Sequence, residues 1–117
     1  EMTAVNLNYG NGVISQFSCN LISQNENSFI IYGTKGHIKI HCMFWAATKA
    51  TLFINESETI EERPFRATGF EYQIEEAMNC IKTGKLQSDE MSHEITLANM
   101  KLMDDIRKSI GLKYSFE

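Results

Sequence analysis

Apolar and polar positions along this chain follow two different periods, and the change falls near Pro64. Ahead of it apolar side chains tend to recur at every second position, which puts them on one side of a β-strand; beyond it they recur at every third or fourth, the spacing of a helix face. Val5, Leu7 and Tyr9 alternate with Asn6 and Asn8 up to Gly10-Asn11-Gly12, a strong hairpin signal. Phe17, Cys19 and Leu21, alternating with Gln16, Ser18 and Asn20, predict the returning strand. After a polar loop from Ser23 to Asn27, Phe29 to Tyr32 predicts a third strand and Gly33-Thr34-Lys35-Gly36 a tight turn. From His37 onward, Ile38, Ile40, Cys42 and Phe44 fall on one side, with His37, Lys39, His41 and Met43 on the other. Thr51 to Ile54 and Thr59 to Arg63, joined through Asn55-Glu56, complete about six strands. Links this short leave only antiparallel neighbours, because a parallel crossover needs roughly a dozen residues or more.

Beyond Pro64, Thr68-x-x-Glu71 has the form of a capping box, in which Thr takes the amide three residues on and Glu reaches back. Phe70, Ile74, Ala77, Met78 and Ile81 then make a helical stripe that Gly84 ends. A second helix starts near Ser92, carries Ile95, Ala98, Asn99, Leu102, Met103, Ile106 and Ile110 on one face, and stops at Gly111. Arg107 and Lys108 in its last turn suit the helix dipole. Each stripe calls for an apolar surface, and the nearest is one face of the sheet. The expected architecture is α+β: an open, mainly antiparallel sheet of about six strands with two helices packed on one face, forming a single domain over residues 1–117. The opposite face would then present Gln16, Ser18, Asn20, His37, Lys39, His41 and Met43, with Tyr32 and Trp45 nearby. Met and aromatic side chains among polar ones suit either a solvated face or an interface between copies or domains.

Composition adds limits. With 43% apolar and 22% charged residues, one Pro and seven Gly, the chain has the make-up of a globular domain and can bury a core without staples. The net charge of −4 disfavours nucleic acid as a partner. It is uneven, +1 over residues 1–55 and −5 over residues 56–117, as solvated helix faces produce. No apolar run approaches the roughly 18 residues of a membrane span. Cys19, Cys42 and Cys80 are widely separated, form no CxxC pair, and read as buried reduced thiols of a reducing compartment.

Most candidate chemistry fails on geometry. Gly10-Asn11-Gly12 begins like GxGxxG but has Ser15 at the third glycine position and sits in a hairpin; Gly33-x-x-Gly36 lacks the Lys-Ser/Thr of a phosphate loop. His37 and His41 would share a metal on a helix, but on a strand they stand roughly 13 Å apart, so no metal site is expected. His93, beside Glu94 at a helix start, reads as a surface residue. Glu75 and Glu76, like Asp104 and Asp105, diverge by about 100° on a helix and do not pair for acid and base work.

Gly33-Thr34-Lys35-Gly36-His37-Ile38-Lys39-Ile40, followed by Phe44-Trp45, resembles the sheet domain of the Gfo/Idh/MocA oxidoreductases. Gly69-Phe70-Glu71-Tyr72-Gln73-Ile74-Glu75-Glu76, then Cys80-Ile81-x-x-Gly84-Lys85 and Ser88-x-x-Met91, agree in order and spacing. The closing run Met103-Asp104-x-Ile106-Arg107-x-x-Ile110-Gly111-Leu112-x-Tyr114-x-x-Glu117 is similar to the end of the members like dihydrodiol and xylose dehydrogenases. Departures are Ala46-Ala47 after Trp45, where a Pro is common in the family, and Ser115-Phe116 in place of Tyr-Pro.

The resemblance implies a cytoplasmic NAD(P)-dependent enzyme acting on a sugar, polyol or dihydrodiol-type alcohol or carbonyl, of which this chain, starting at Glu1, is the C-terminal domain. Cofactor and catalytic Lys belong in such enzymes to an N-terminal Rossmann domain, and the acid/base His to a helix ahead of these strands. No catalytic or cofactor-binding residue is therefore assigned, and the segment alone is expected to be inactive and to bind neither NAD nor NADP. Trp45, by resemblance to an aromatic at that place, is the candidate for facing substrate or a partner subunit; equally, it reads as an aromatic packed at a strand end. The partners implied are a second copy through the open sheet face and the missing Rossmann domain, with no nucleic acid and no membrane. The alternative is a non-catalytic dimerisation or interaction module.

Overall fold

A computed structural model of the chain describes residues 2–115; Glu1, and Phe116 and Glu117 of the closing motif, lie outside the described residues. It is α+β, with six antiparallel strands and two helices. The strands divide between two sheets, where the sequence pattern suggested one. β1 (Met2–Asn8) and β2 (Ile14–Asn20) pair from Met2↔Asn20 to Asn8↔Ile14. Their turn is closed by side chains: Asn8 Oδ1 accepts from the Gly10 amide at 2.9 Å and Asn11 Oδ1 from the Val13 amide at 3.1 Å. The segment after β2 is polar and folds on itself, with Asn20 Oδ1 accepting from both the amide and the hydroxyl of Ser23 at 2.7 Å. The link after β2 thus opens in a local Asn turn.

The second sheet has the order β3-β4-β5-β6, formed by Phe29–Gly33, Gly36–Ile40, Lys49–Ile54 and Ser57–Glu62. Gly36 is dictated by space: a Cβ there would lie 1.9 Å from the Phe53 carbonyl oxygen. Asn55 and Glu56 both take left-handed conformations, with φ of 49° and 62°, as a two-residue hairpin link of matching twist requires. The expected long fourth strand ends early. It stops at Ile40, and Met43 turns left-handed (φ 58°, ψ 56°) into a 3₁₀ turn over Phe44–Ala46, so Cys42 to Phe44 do not continue the alternation.

Helix α1 (Glu71–Thr83) starts two residues later than a capping box on Thr68 predicts, because Gly69 is left-handed (φ 89°). Glu71 reaches back to the amides of Ala67, Thr68 and Gly69 at 2.7–3.1 Å, while Thr68 Oγ1 takes the Phe70 amide at 3.4 Å, two residues on instead of three. α2 (His93–Ser109) is capped by Ser92, whose Oγ accepts from the Ile95 amide at 3.2 Å. Both helices end in Schellman motifs with glycine at φ 69°: Lys85 donates to the Cys80 carbonyl past Gly84, and Leu112 to the Arg107 carbonyl past Gly111.

The chain groups into two compact units, one of Glu1–Ser23 with Glu76–Glu117, the other of Gln24–Glu75. Among the described residues only Thr51, in the second, and Cys80, in the first, are buried. Ile74, Met78, Ile81, Ile95, Leu102, Met103 and Ile110 of the helical stripes stay exposed within the chain, short of the burial their spacing suggests. Cys19 and Cys42 are likewise exposed free thiols, against the expectation of burial.

Candidate functional site

The side chains with chemical potential gather on one face of the four-stranded sheet. Register sets Tyr32 opposite His37 and His37 opposite Phe53. The His37 ring stacks on Phe53 at 4.3 Å and 14°, with Tyr32 tilted against its other side at 5.5 Å. In the adjoining row Lys39 stands opposite Thr51, and its ammonium pairs with Glu26 at 2.7 Å. That hydrogen bond, reinforced by the charge of Lys39, holds the Glu26 carboxyl below the usual carboxylate range. His41 Nε2 and Thr51 Oγ1 share a hydrogen bond of 2.8 Å, and Thr51 is 2% exposed. His37 and His41 therefore have separate engagements, and among the described residues no group of three or more His, Cys, Asp or Glu could hold a metal.

The opposite face carries Phe29, Ile31, Ile38, Leu52 and Ile54, each 37–49% exposed. Beside the Gly33–Gly36 turn it opens into a shallow groove of about 310 Å³, lined in part by Ile31, Ile38, Leu52 and Ile54. On this sheet Ile31, Ile38, Leu52 and Ile54 are more exposed than His37, Lys39 and His41, the residues named from the pattern. Gln16, Ser18 and Asn20 belong to the other sheet.

Trp45 sits in the turn after β4. The turn is tied by the Phe44 amide donating to the Asn27 carbonyl at 3.2 Å and the Ala46 amide to the Met43 carbonyl at 2.7 Å. Phe44 meets Phe29 at 6.1 Å and takes Trp45 edge-on at 5.2 Å. Trp45 remains 63% exposed, so most of its indole is free for contact. Thr51, the most buried side chain, escaped the sequence reading; only the β4–β5 register brings it under His41.

The helical carboxylates have separate partners, as their divergence predicts. Glu75 pairs with Arg66 at 2.5 Å, Glu76 accepts from Ser88 at 2.6 Å and from the Cys80 thiol at 3.4 Å, Asp105 pairs with Lys101, and Asp104 with Arg107. Burial, with the Glu76 bond, pushes the Cys80 thiol up and keeps it protonated. Burial also pushes at Glu71, but its own amide and those of Ala67, Thr68 and Gly69 outweigh this and bring its carboxyl down to about 2. His93 lies at the start of α2, its amide donating to Gln87 Oε1 at 2.8 Å.

The glycine run and the two helix starts lack the form of a dinucleotide loop. The Gly10–Gly12 run is a hairpin turn between antiparallel strands, not a strand leading into a helix. Both helix N-termini, where a pyrophosphate would bind, are capped by the chain's own Glu71 and Ser92.

No protein-family model matches the chain. Curated proteins do. Over 98% of its length it is 28% identical to a trans-1,2-dihydrobenzene-1,2-diol dehydrogenase of Danio rerio, and over 97% it is 30% identical to that of Sus scrofa and 25% to that of Xenopus laevis. The chain is similar to dihydrodiol dehydrogenases along almost its whole length. This bears out the resemblance to dihydrodiol dehydrogenases read from the motifs. It spans about a third of those relatives, 36% of each. Among the described residues no helix is long and apolar enough to cross a membrane.

Proposed function

We propose that this chain is the C-terminal sheet domain of a cytoplasmic NAD(P)-dependent oxidoreductase of the Gfo/Idh/MocA family, acting on a sugar, polyol or dihydrodiol-type alcohol or carbonyl. The observation that carries this reading is similarity to dihydrodiol dehydrogenases over nearly all of this chain and only about a third of theirs. NAD or NADP supplies hydride chemistry in a Rossmann domain outside these residues. This segment contributes a wall of the substrate site, with Trp45 as its exposed aromatic, and a surface for self-association. The aliphatic face of the four-stranded sheet suits the second task, since an exposed apolar patch of this kind is a common interface.

Titration calorimetry of the 117-residue chain with NAD(H) and NADP(H) is expected to give no micromolar binding, and such binding would overturn the division of labour. The coding sequence ahead of Glu1 should specify a strand, glycine loop and helix. In the enzyme containing that segment, Trp45→Ala should raise KM with a smaller change in kcat; an unchanged KM removes Trp45 from the substrate wall. A stand-alone dimerisation module, the competing reading, is favoured instead if the gene begins at this segment and light scattering still reports a dimer.

A further inference from the structure

Met43 is a non-glycine residue in the left-handed region, directly ahead of the turn that carries Trp45. Such a conformation persists only where the surroundings over-determine it. On the far side the chain is held by the Arg63 amide donating to the Thr48 carbonyl at 2.8 Å, and in the middle by Phe44 on Asn27 and Phe29. On the near side the last ladder pair is Ile40↔Ala50, followed by one long bond from the His41 amide to the Lys49 carbonyl at 3.2 Å. The side chain of His41 adds what the backbone lacks there. It reaches across to Thr51, whose hydroxyl is buried and therefore costly to leave without a partner.

We propose that His41 is a positioning residue for Trp45, acting through its hydrogen bond to the buried hydroxyl of Thr51. The bond fixes the direction in which β4 delivers the chain to Met43, and with it the orientation of the indole. This deepens the reading of Trp45 as a contact residue and rests on it for its importance. Its geometry is tested without substrate, so the two can fail separately.

Trp45 is the only tryptophan of the chain, and 5-fluorotryptophan labelling gives it a single fluorine reporter. The unmodified chain should show one sharp resonance; several resonances overturn the proposal. Thr51→Val and His41→Leu, with circular dichroism unchanged, should lose that single resonance by splitting or shifting, whereas Thr51→Ser and His41→Gln, which keep a hydrogen-bonding group within reach, should retain it. An unshifted resonance in folded Thr51→Val overturns the proposal. Should the Val and Leu variants fail to fold, His41→Asn decides: it is polar but too short to reach Thr51, so it should lose the resonance that His41→Gln keeps. Equal spectra for Asn and Gln sink the idea.

Discussion

On one face of the four-stranded sheet a group of polar side chains is sheltered, and on the other a group of apolar side chains is exposed. Thr51, His41, His37 and Lys39 are buried or half-buried on the first, while Phe29, Ile31, Ile38, Leu52 and Ile54 lie open on the second. An isolated soluble sheet distributes them the other way. The first face satisfies its polar groups internally, by ring stacking, an ion pair and the His41–Thr51 bond, so it has little need of a covering partner. The second is apolar across β3, β4 and β5, with the polar Ser57, Thr59 and Glu61 confined to the border strand β6, and it suits the self-association proposed for it.

Three substitutions break or sharpen this contrast. Gly36→Ala should do most damage to both faces at once, because its Cβ meets the Phe53 carbonyl oxygen. A loss of about 3 kcal/mol, the upper end for overpacking, is expected from urea denaturation, and a variant as stable as the parent would show that the β4–β5 contact is looser than described. Phe53→Leu keeps an apolar residue on the first face but removes the His37 stack, at about 1 kcal/mol; no change would make the stack incidental. Leu52→Ser, on the second face, should cost less stability, about 0.5 kcal/mol as surface substitutions do, while lowering the mass seen by light scattering at high concentration. An unaltered mass would move self-association elsewhere.

The smallest effect concerns pH. Glu26 is held low by Lys39, so its contribution is present above the ordinary carboxylate pKa near 4.5 and is lost as pH falls below it. Lys39→Met should flatten that part of the acid unfolding curve slightly. Glu71, brought down to about 2, provides the contrast: stability it gives α1 is full above about pH 4.5 and drains away towards pH 2, and Glu71→Gln should remove that dependence. Identical acid curves for parent and Gln variant would count against the cap.

Turns and caps were the most legible parts of the sequence, because each rests on residues adjacent in the chain. Gly10-Asn11-Gly12, Asn55-Glu56, Glu71, Ser92, Gly84 and Gly111 all stand where local chemistry requires them. The early end of β4 was not legible, since period-two alternation runs through Cys42, two residues past the end of the strand, and gives no warning of a left-handed methionine. The division into two sheets and the shelter of Thr51 depend on which strands pair and in what register, information that a single strand does not carry. Trp45 was named from resemblance alone; its exposure and its edge-on neighbour Phe44 come only from the fold of the turn.

Strand β6 forms one border of its sheet, is exposed along its whole length, and carries Glu58, Glu61 and Glu62. Strand-by-strand growth of copies along that border would bring like charges together at close spacing. Edge-to-edge pairing of two copies through β6 is thereby discouraged at ordinary salt, so contact between copies is steered away from this border.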